Sequence, residues 1–365
     1  MVVCWPLGSL SGAAGLGSLM RLLRVRVQGI GPFADLSLSF VRQDGTLRNT
    51  SVIFGGDGVG KTTLLAALGV TRPGMAMPPS MGARTAGVPA FAATEWDLGD
   101  DDLARPHPLV VASPAAVLEG ETPDLAMLRR REQAIFDKKA QEAGGFVFVA
   151  FSGARWFSRT PNMLTTPDRT VLRYDVRAST SFDDATRADL TRETKQVLSY
   201  VCVRRALSAA TERDDAEQLE AALRETLGIL LQPYGLRWTG ASPRTLEPTF
   251  ERGRVPMSFD ELPKGAKHLA AMGALTVRAL AGAYAERDEP IRDNEGVCVI
   301  DDLESQQDPG IQRELCALLH EALPRVQWVV STSQVAVTQG QATSDVLSLR
   351  PGDNVAVELH EGPLH

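Results

Sequence analysis

The sequence predicts an α/β protein, a mixed sheet interrupted by a mostly helical lobe, on three observations. An apolar strand, Ser51 to Phe54, runs into a glycine loop and then a helix from Thr62 to Leu68. A second apolar strand, Val297 to Ile300, ends in the paired carboxylates Asp301-Asp302. Between them, from Asp183 to Leu231, the apolar spacing changes to that of a helix, with Leu219, Leu223, Leu227, Leu230 and Leu231 on one face.

The remaining elements follow in chain order. Alternation from Leu22 puts Leu23, Val25 and Val27 on one face and Arg24 and Arg26 on the other, the pattern of a strand. A turn at Gly29-Ile30-Gly31-Pro32 leads to a second strand, Leu36 to Phe40. Residues 71–90 have no clear period and read as a loop, and Asp97 to Asp102 reads as a solvated segment. Phe146 to Phe151 is a buried-strand candidate, followed by Ser152-Gly153-Ala154-Arg155. After Pro233 a hairpin turns at Gly253 between Thr249–Glu251 and Val255–Met257, and a helix is expected from about Lys267 to Ala285. Pro309 is expected to open a further helix with Ile311, Leu315, Leu318, Leu319 and Ala322 on its apolar face. Val326 to Val330 is another buried strand, and the tail closes as a hairpin, 346–349 with 355–359, turning at Pro351-Gly352-Asp353-Asn354.

Composition narrows the function. At 365 residues, 44% hydrophobic and 23% charged, the chain is that of an ordinary globular protein. Its net charge of -7 argues against a surface that is basic all over, so any contact with DNA needs a local basic patch or one created by assembly. The run Arg129-Arg130-Arg131 with Lys138 and Lys139 is a candidate, although such runs are more often a solvated helix face. Cys4, Cys202, Cys298 and Cys316 show neither disulfide nor zinc spacing, and the five histidines include no metal-ligand pair. The first nineteen residues lack the basic start of a signal peptide and are too interrupted to span a membrane. They read as a flexible extension before Met20, and the expected location is the cytoplasm, with no membrane partner.

The glycine loop carries the chemistry. Gly55-Gly56-Asp57-Gly58-Val59-Gly60-Lys61-Thr62 lies between a strand and a helix, the context of a P-loop. Its glycines let consecutive backbone N–H groups turn around a phosphate, and the helix N-terminus, with Thr63 in its first turn, adds a favourable dipole. Lys61 is the candidate counter-charge to the β- and γ-phosphates, and Thr62 the candidate Mg²⁺ ligand. An acid at a strand end completes such a site. Asp301 is the candidate Mg²⁺ partner and Asp302 the candidate acid that polarises water, with Glu304 two residues on as its competitor.

The early P-loop, the late acid-capped strand and the helical segment between them resemble an ABC-type ATPase head of the RecF/SMC/OLD-like group. Ser305-Gln306-Gln307-Asp308 stands where that group has its D-loop, and Leu262-Pro263-Lys264-Gly265-Ala266 where it has its signature loop. Asp301-Asp302 is similar to the acid pair of RecF. The resemblance implies lobe I in residues 20–158 and 236–365, with a helical lobe II over 159–235. It also implies ATP and Mg²⁺ as cofactors, held between one subunit's P-loop and Lys264, Gly265 and Asp308 of another subunit or of a second ATPase. ATP binding with slow hydrolysis, coupled to dimerisation or complex assembly in DNA repair, maintenance or anti-phage defence, is the function implied, with an effector protein as a further partner.

Three departures bear on that function. Pro263 replaces the signature serine, Ser331-Thr332-Ser333-Gln334 stands where a switch histidine is expected, and no Q-loop glutamine is evident between Gly69 and Phe146. They keep open a nucleotide-gated regulatory or assembly subunit with little turnover. They weigh against the ATP-binding subunit of a membrane transporter.

Overall fold

A computed structural model describes residues 20–74, 76, 78, 89–98, 108–114, 116–143, 146–162, 189–208, 213–285, 289–352 and 357–363. The extension at 1–19, most of the predicted 71–90 loop, the end of the aspartate run and the tip of the last hairpin lie outside these residues, as does the start of the predicted helical segment.

The centre is a six-stranded sheet in the order β13-β12-β3-β11-β10-β6. Its members are β3 (Thr50–Phe54), β6 (Phe148–Phe151), β10 (Gly296–Ile300), β11 (Val326–Thr332), β12 (Val346–Pro351) and β13 (Val357–Glu361). All neighbours pair in parallel except β12 with β13, which makes the sheet mixed. Strands covered on both faces become continuous apolar runs. Along β10, Val297 and Val299 face one core while Cys298 and Ile300 face the other, and β11 divides Val329 from Trp328 and Val330 in the same way.

On one side lies a four-stranded antiparallel sheet, β2-β1-β4-β5. It is built from β1 (Arg21–Ile30), β2 (Phe33–Ser39), β4 (Phe91–Asp97) and β5 (Leu109–Ala112). Helix α1 (Lys61–Val70) shares a core with both sheets through Leu64, Leu65 and Leu68. The outer helix α2 (Pro123–Ala143) sends Phe136 toward this core. The predicted faces of β1 need one correction. Pairing with β4 skips a residue between Leu22 and Arg24, and this bulge turns Leu22 into the core and leaves Leu23 half-buried.

On the other side pack α3 (Thr191–Leu207), α4 (Arg213–Leu231), α5 (Lys264–Ala283) and α6 (Leu315–Ala322). A three-stranded sheet, β7 (Leu236–Ala241), β8 (Pro248–Arg252) and β9 (Val255–Ser258), joins this core through Trp238 and Phe250. The leucine stripe of α4 is buried as its spacing requires. Two helix starts differ from expectation. Helix α5 begins at Lys264, three residues early, because Pro263 sits outside the helix as its N-cap and Gly265 is accommodated in the first turn. The segment after Pro309 forms a turn and a short 3-10 stretch (Gln312–Glu314), so α6 starts only at Leu315. The turn is held by Asp308, whose carboxylate accepts the N–H of Gly310 and whose carbonyl accepts that of Ile311. A short helix, α7 (Val335–Gln339), follows β11. No helix among the described residues is long and apolar enough to cross a membrane.

Helices α4 and α5 meet at Gly273, where a Cβ would stand 2.7 Å from Leu230 Cδ1 and 3.1 Å from Thr226 Cγ2. A β-branched side chain has no room there. Gly273→Val is therefore expected to destabilise the protein by roughly 1–3 kcal/mol, measured as a lower denaturant midpoint; an unchanged midpoint would show the helix contact to be slack.

Candidate functional site

Four parallel strands end side by side, and the register fixes which residues meet. Phe54 pairs with Thr332, while Ile300 pairs with Val330 on one side and Phe151 on the other. The glycine loop, Ser331–Ser333, Asp301-Asp302 and Ser152-Gly153 therefore emerge together at the carboxyl ends of the strands, where ligands bind in open parallel sheets.

The loop is shaped by close approaches. Gly58 and Gly60 have φ of 78° and 91°, values that favour glycine. At Gly60 a Cβ would meet Pro32 Cγ at 2.5 Å and Phe33 Cζ at 2.7 Å, so the loop rests on the tip of the β1–β2 turn. Gly60 is also the N-cap of α1, with no side-chain cap and no acidic residue in the first turn, an arrangement that suits an external anion. Asp57 and Gly58 are exposed at the crest, while Val59 and Thr63 are buried. The Lys61 ammonium is buried beneath the loop and donates to the carbonyls of Gly55 and Gly56, each at 2.9 Å.

Thr62 Oγ1 donates to Asp301 Oδ2 at 2.8 Å, across 239 residues of sequence. Asp301 Oδ1 accepts from Ser331 Oγ at 2.5 Å, and Ser331 Oγ in turn accepts the N–H of Asp302 at 2.8 Å. Asp302 occupies the left-handed region, with φ of 46°. Its carboxylate lies where only a glycine leaves space: a Cβ on Gly153 would stand 2.7 Å from Asp302 Oδ2. Burial, then the charges of Asp301 and Glu304, push the Asp302 carboxyl above its ordinary range. Glu304 is held differently. Its Oε1 accepts from the Ser333 N–H at 2.9 Å and from Ser333 Oγ at 3.1 Å, so the residue at the switch-histidine place is engaged in fixing a carboxylate.

Beneath the acid pair lies Arg155, which sequence reasoning placed after β6 without giving it a role. It is 4% exposed. Nη1 donates to the carbonyls of Ser152 and Asp301, Nη2 to that of Asp302 at 2.7 Å, and Nε to His268 Nδ1 at 2.9 Å. Burial pulls the guanidinium down to about 10, still charged at neutral pH. Burial, followed by the Arg155 charge, pulls His268 down to about 3, which keeps the imidazole neutral and its Nδ1 an acceptor.

The predicted residues form two groups. Lys61, Thr62, Asp301 and Asp302 make one. Lys264, Gly265 and Asp308 make the second, around Gln307. Gly265 belongs to the first turn of α5, where a Cβ would collide with Tyr234 Oη and come 3.0 Å from the Gln306 carbonyl. Gln307 Nε2 donates to the Gly265 carbonyl at 3.2 Å, and Tyr234 Oη donates to Gln307 Oε1 at 3.1 Å. Lys264 and Asp308 are exposed on either side. Of the basic run on α2, Arg129 is bound to Glu121 at 2.7 Å, and Arg130, Arg131 and Lys138 are exposed.

The raised Asp302 carboxyl has a measurable consequence. A folded value above the unfolded one gives a contribution to stability that is full below the unfolded value and is lost as pH rises through the folded one. Ionised Asp302 therefore weakens the fold at neutral pH. Asp302→Asn, which also tolerates the left-handed backbone, is expected to unfold at higher denaturant than the parent at neutral pH. The difference should close as pH falls through the carboxylate range, and identical midpoints at neutral pH would refute it.

No protein-family model matches the chain, and no curated protein does. Solved structures do. The SMC head domain from Thermotoga maritima is 14% identical, over 94% of this chain and 100% of that one, with a TM-score of 0.46. The Pyrococcus furiosus Smc head domain with an extended coiled coil, bound to the C-terminal domain of ScpA, is 14% identical over 94% and 96%, with a TM-score of 0.50. An SmcHead bound to the C-winged helix domain of ScpA is 13% identical over 93% and 97%, with a TM-score of 0.52. At these identities the likeness is one of fold: the chain has the α/β P-loop fold of ABC-type ATPase heads, as SMC head domains do.

Proposed function

We propose that this protein binds ATP with Mg²⁺ and hydrolyses it slowly, using the nucleotide to assemble with a second copy or a second ATPase. The observation that carries the reading is the Thr62–Asp301 hydrogen bond, which joins the hydroxyl of the glycine-loop helix to the acid of a distant strand. Those two oxygen groups are the donor set that Mg²⁺ beside a triphosphate takes. The uncapped start of α1, the glycine loop and the Lys61 ammonium fit the phosphates. Mg²⁺ supplies charge neutralisation between the β- and γ-phosphates when it is bound.

In this reading Lys61, now on the loop carbonyls, would supply the counter-charge to phosphate oxygens, and Thr62 and Asp301 would hold the metal. Asp302, beside Gly153, orients water, with Glu304 as its competitor. Lys264, the backbone N–H of Gly265 and Asp308 face the nucleotide of the partner subunit. Pro263 has no N–H to donate, so a point charge from Lys264 stabilises the closed assembly without orienting water. That favours tight assembly over fast turnover, the behaviour of a switch. Two of the similar SMC heads are bound to a ScpA domain, which supports an effector protein as a further partner. DNA maintenance, repair or anti-phage defence in the cytoplasm is the setting we infer.

Lys61→Ala removes the counter-charge while the backbone still shapes the loop. It is expected to cost roughly 3 kcal/mol of nucleotide binding, about a hundredfold in affinity. Unchanged affinity in a calorimetric titration would remove the P-loop assignment. Turnover separates the two acids: Asp302→Asn is expected to stop hydrolysis and retain bound ATP, whereas Glu304→Gln keeps most of the activity. The reverse outcome in a phosphate-release assay would transfer the role to Glu304.

A further inference from the structure

The two groups of site residues belong, on the reading above, to opposite faces of an assembled nucleotide. One holds the subunit's own ATP, and the other reaches the partner's. Buried Arg155 begins one connection between them. Arg155 binds the carbonyls of Asp301 and Asp302, the turn that carries both acids, and its remaining edge binds His268 Nδ1. His268 lies on α5 one turn after Lys264, so both sit on the same side of the helix. A second strut runs parallel to the first. Gln307, on the turn that follows the acids, donates to the Gly265 carbonyl in the first turn of α5.

From this geometry we infer that Arg155 and His268 are positioning residues that couple the acid turn of one nucleotide site to the signature-like start of α5, and so to assembly with the partner subunit. The coupling has a clear physical basis. Two of Arg155's carbonyl partners, those of Asp301 and Asp302, belong to a turn whose second residue, Asp302, has φ of 46°. A left-handed aspartate persists only where its surroundings hold it. Any movement of Asp301 or Asp302 on engaging a metal ion shifts the carbonyls that Arg155 holds. The guanidinium is planar and rigid, so it transmits that shift to its Nε edge and to the imidazole. The imidazole is itself fixed, stacked edge-on against Phe157 with ring centroids 5.0 Å apart. The helix end that carries Lys264 therefore follows the acid turn.

The test replaces His268 in two ways. His268→Asn keeps an acceptor oxygen at the place of Nδ1; His268→Leu keeps the apolar packing and loses the acceptor. ATP affinity is measured by calorimetry, and ATP-dependent assembly by sedimentation across a concentration series. The Leu variant is expected to bind ATP within about threefold of the parent and to assemble about tenfold or more weakly, the range of a typical coupling energy. The Asn variant is expected to assemble as the parent does. A residue that merely fills space gives the opposite order, with Leu tolerated and Asn damaging, and that result would overturn the inference. So would equal assembly in all three proteins. If the Leu variant does not fold, Arg155→Lys serves in its place: it keeps the charge and loses the fork, and assembly undiminished in that variant would likewise overturn the inference. A parent protein that binds ATP and never assembles would instead strike the proposed function, which the parent measured alone distinguishes.

Discussion

Everything at the site depends on the parallel register of β3, β11, β10 and β6. The glycine-loop strand and the acid strand are not neighbours; β11 runs between them. Thr62 therefore reaches Asp301 over the end of β11, and that end has to be small and polar to let it through. Ser331 meets both conditions. Its hydroxyl donates to the Asp301 carboxylate and accepts the N–H of Asp302, so it fills the gap with hydrogen bonds and not with bulk. A shift of one residue in any of these strands would turn its side chains to the opposite core and pull the cluster apart. The two cores on either face of the sheet hold the register, and through it the chemistry.

The same cluster concentrates negative charge in a poorly solvated place. Asp301 is buried, Asp302 half-buried, and Glu304 is tied close by through Ser333. Buried carboxylates need opposing charge or hydrogen-bond donors. Two cations, Lys61 and Arg155, supply opposing charge to Asp302. The hydrogen bonds of Arg155 go to the backbone carbonyls of the acid turn, while both oxygens of Asp301 accept from the hydroxyls of Thr62 and Ser331. The last donor of Arg155 needs an acceptor as buried as itself. A neutral histidine meets that need because burial, and after it Arg155's own charge, keep it unprotonated.

Much of the fold was legible because burial on two faces writes itself as unbroken apolar runs; Val297 to Ile300 and Val326 to Val330 are such runs. The antiparallel sheet was harder. β4, the Phe91–Asp97 run, is covered on both faces by different clusters, yet its Ala-Ala-Thr-Glu centre carries no alternation to read. Leu23 was placed on the wrong face because a bulge leaves no mark in a pattern of alternating residues. The glycine loop and the acid pair stood out as contiguous motifs with a mechanism attached. Arg155 and His268 did not, since their meaning comes from contacts 146 and 113 residues away. The visible hint was the small-residue run Ser152-Gly153 at a strand end, which admits a neighbouring carboxylate where a side chain would collide.

The departures from the ABC pattern then appear as parts of one arrangement. Ser333 stands where a histidine was expected, and its N–H and hydroxyl hold the Glu304 carboxylate. Pro263 stands where a serine was expected, and its fixed φ lets α5 begin at once with Lys264, without an unsatisfied N–H at the cap. Each of these residues fixes the protein's own structure, Ser333 by holding a carboxylate and Pro263 by setting the start of α5. On the function proposed above, rigidity of this kind would favour holding a nucleotide in place over turning it over. On that same function, a site so constrained would move as a unit, and the exposed start of α5 is the part of it that a second subunit would meet.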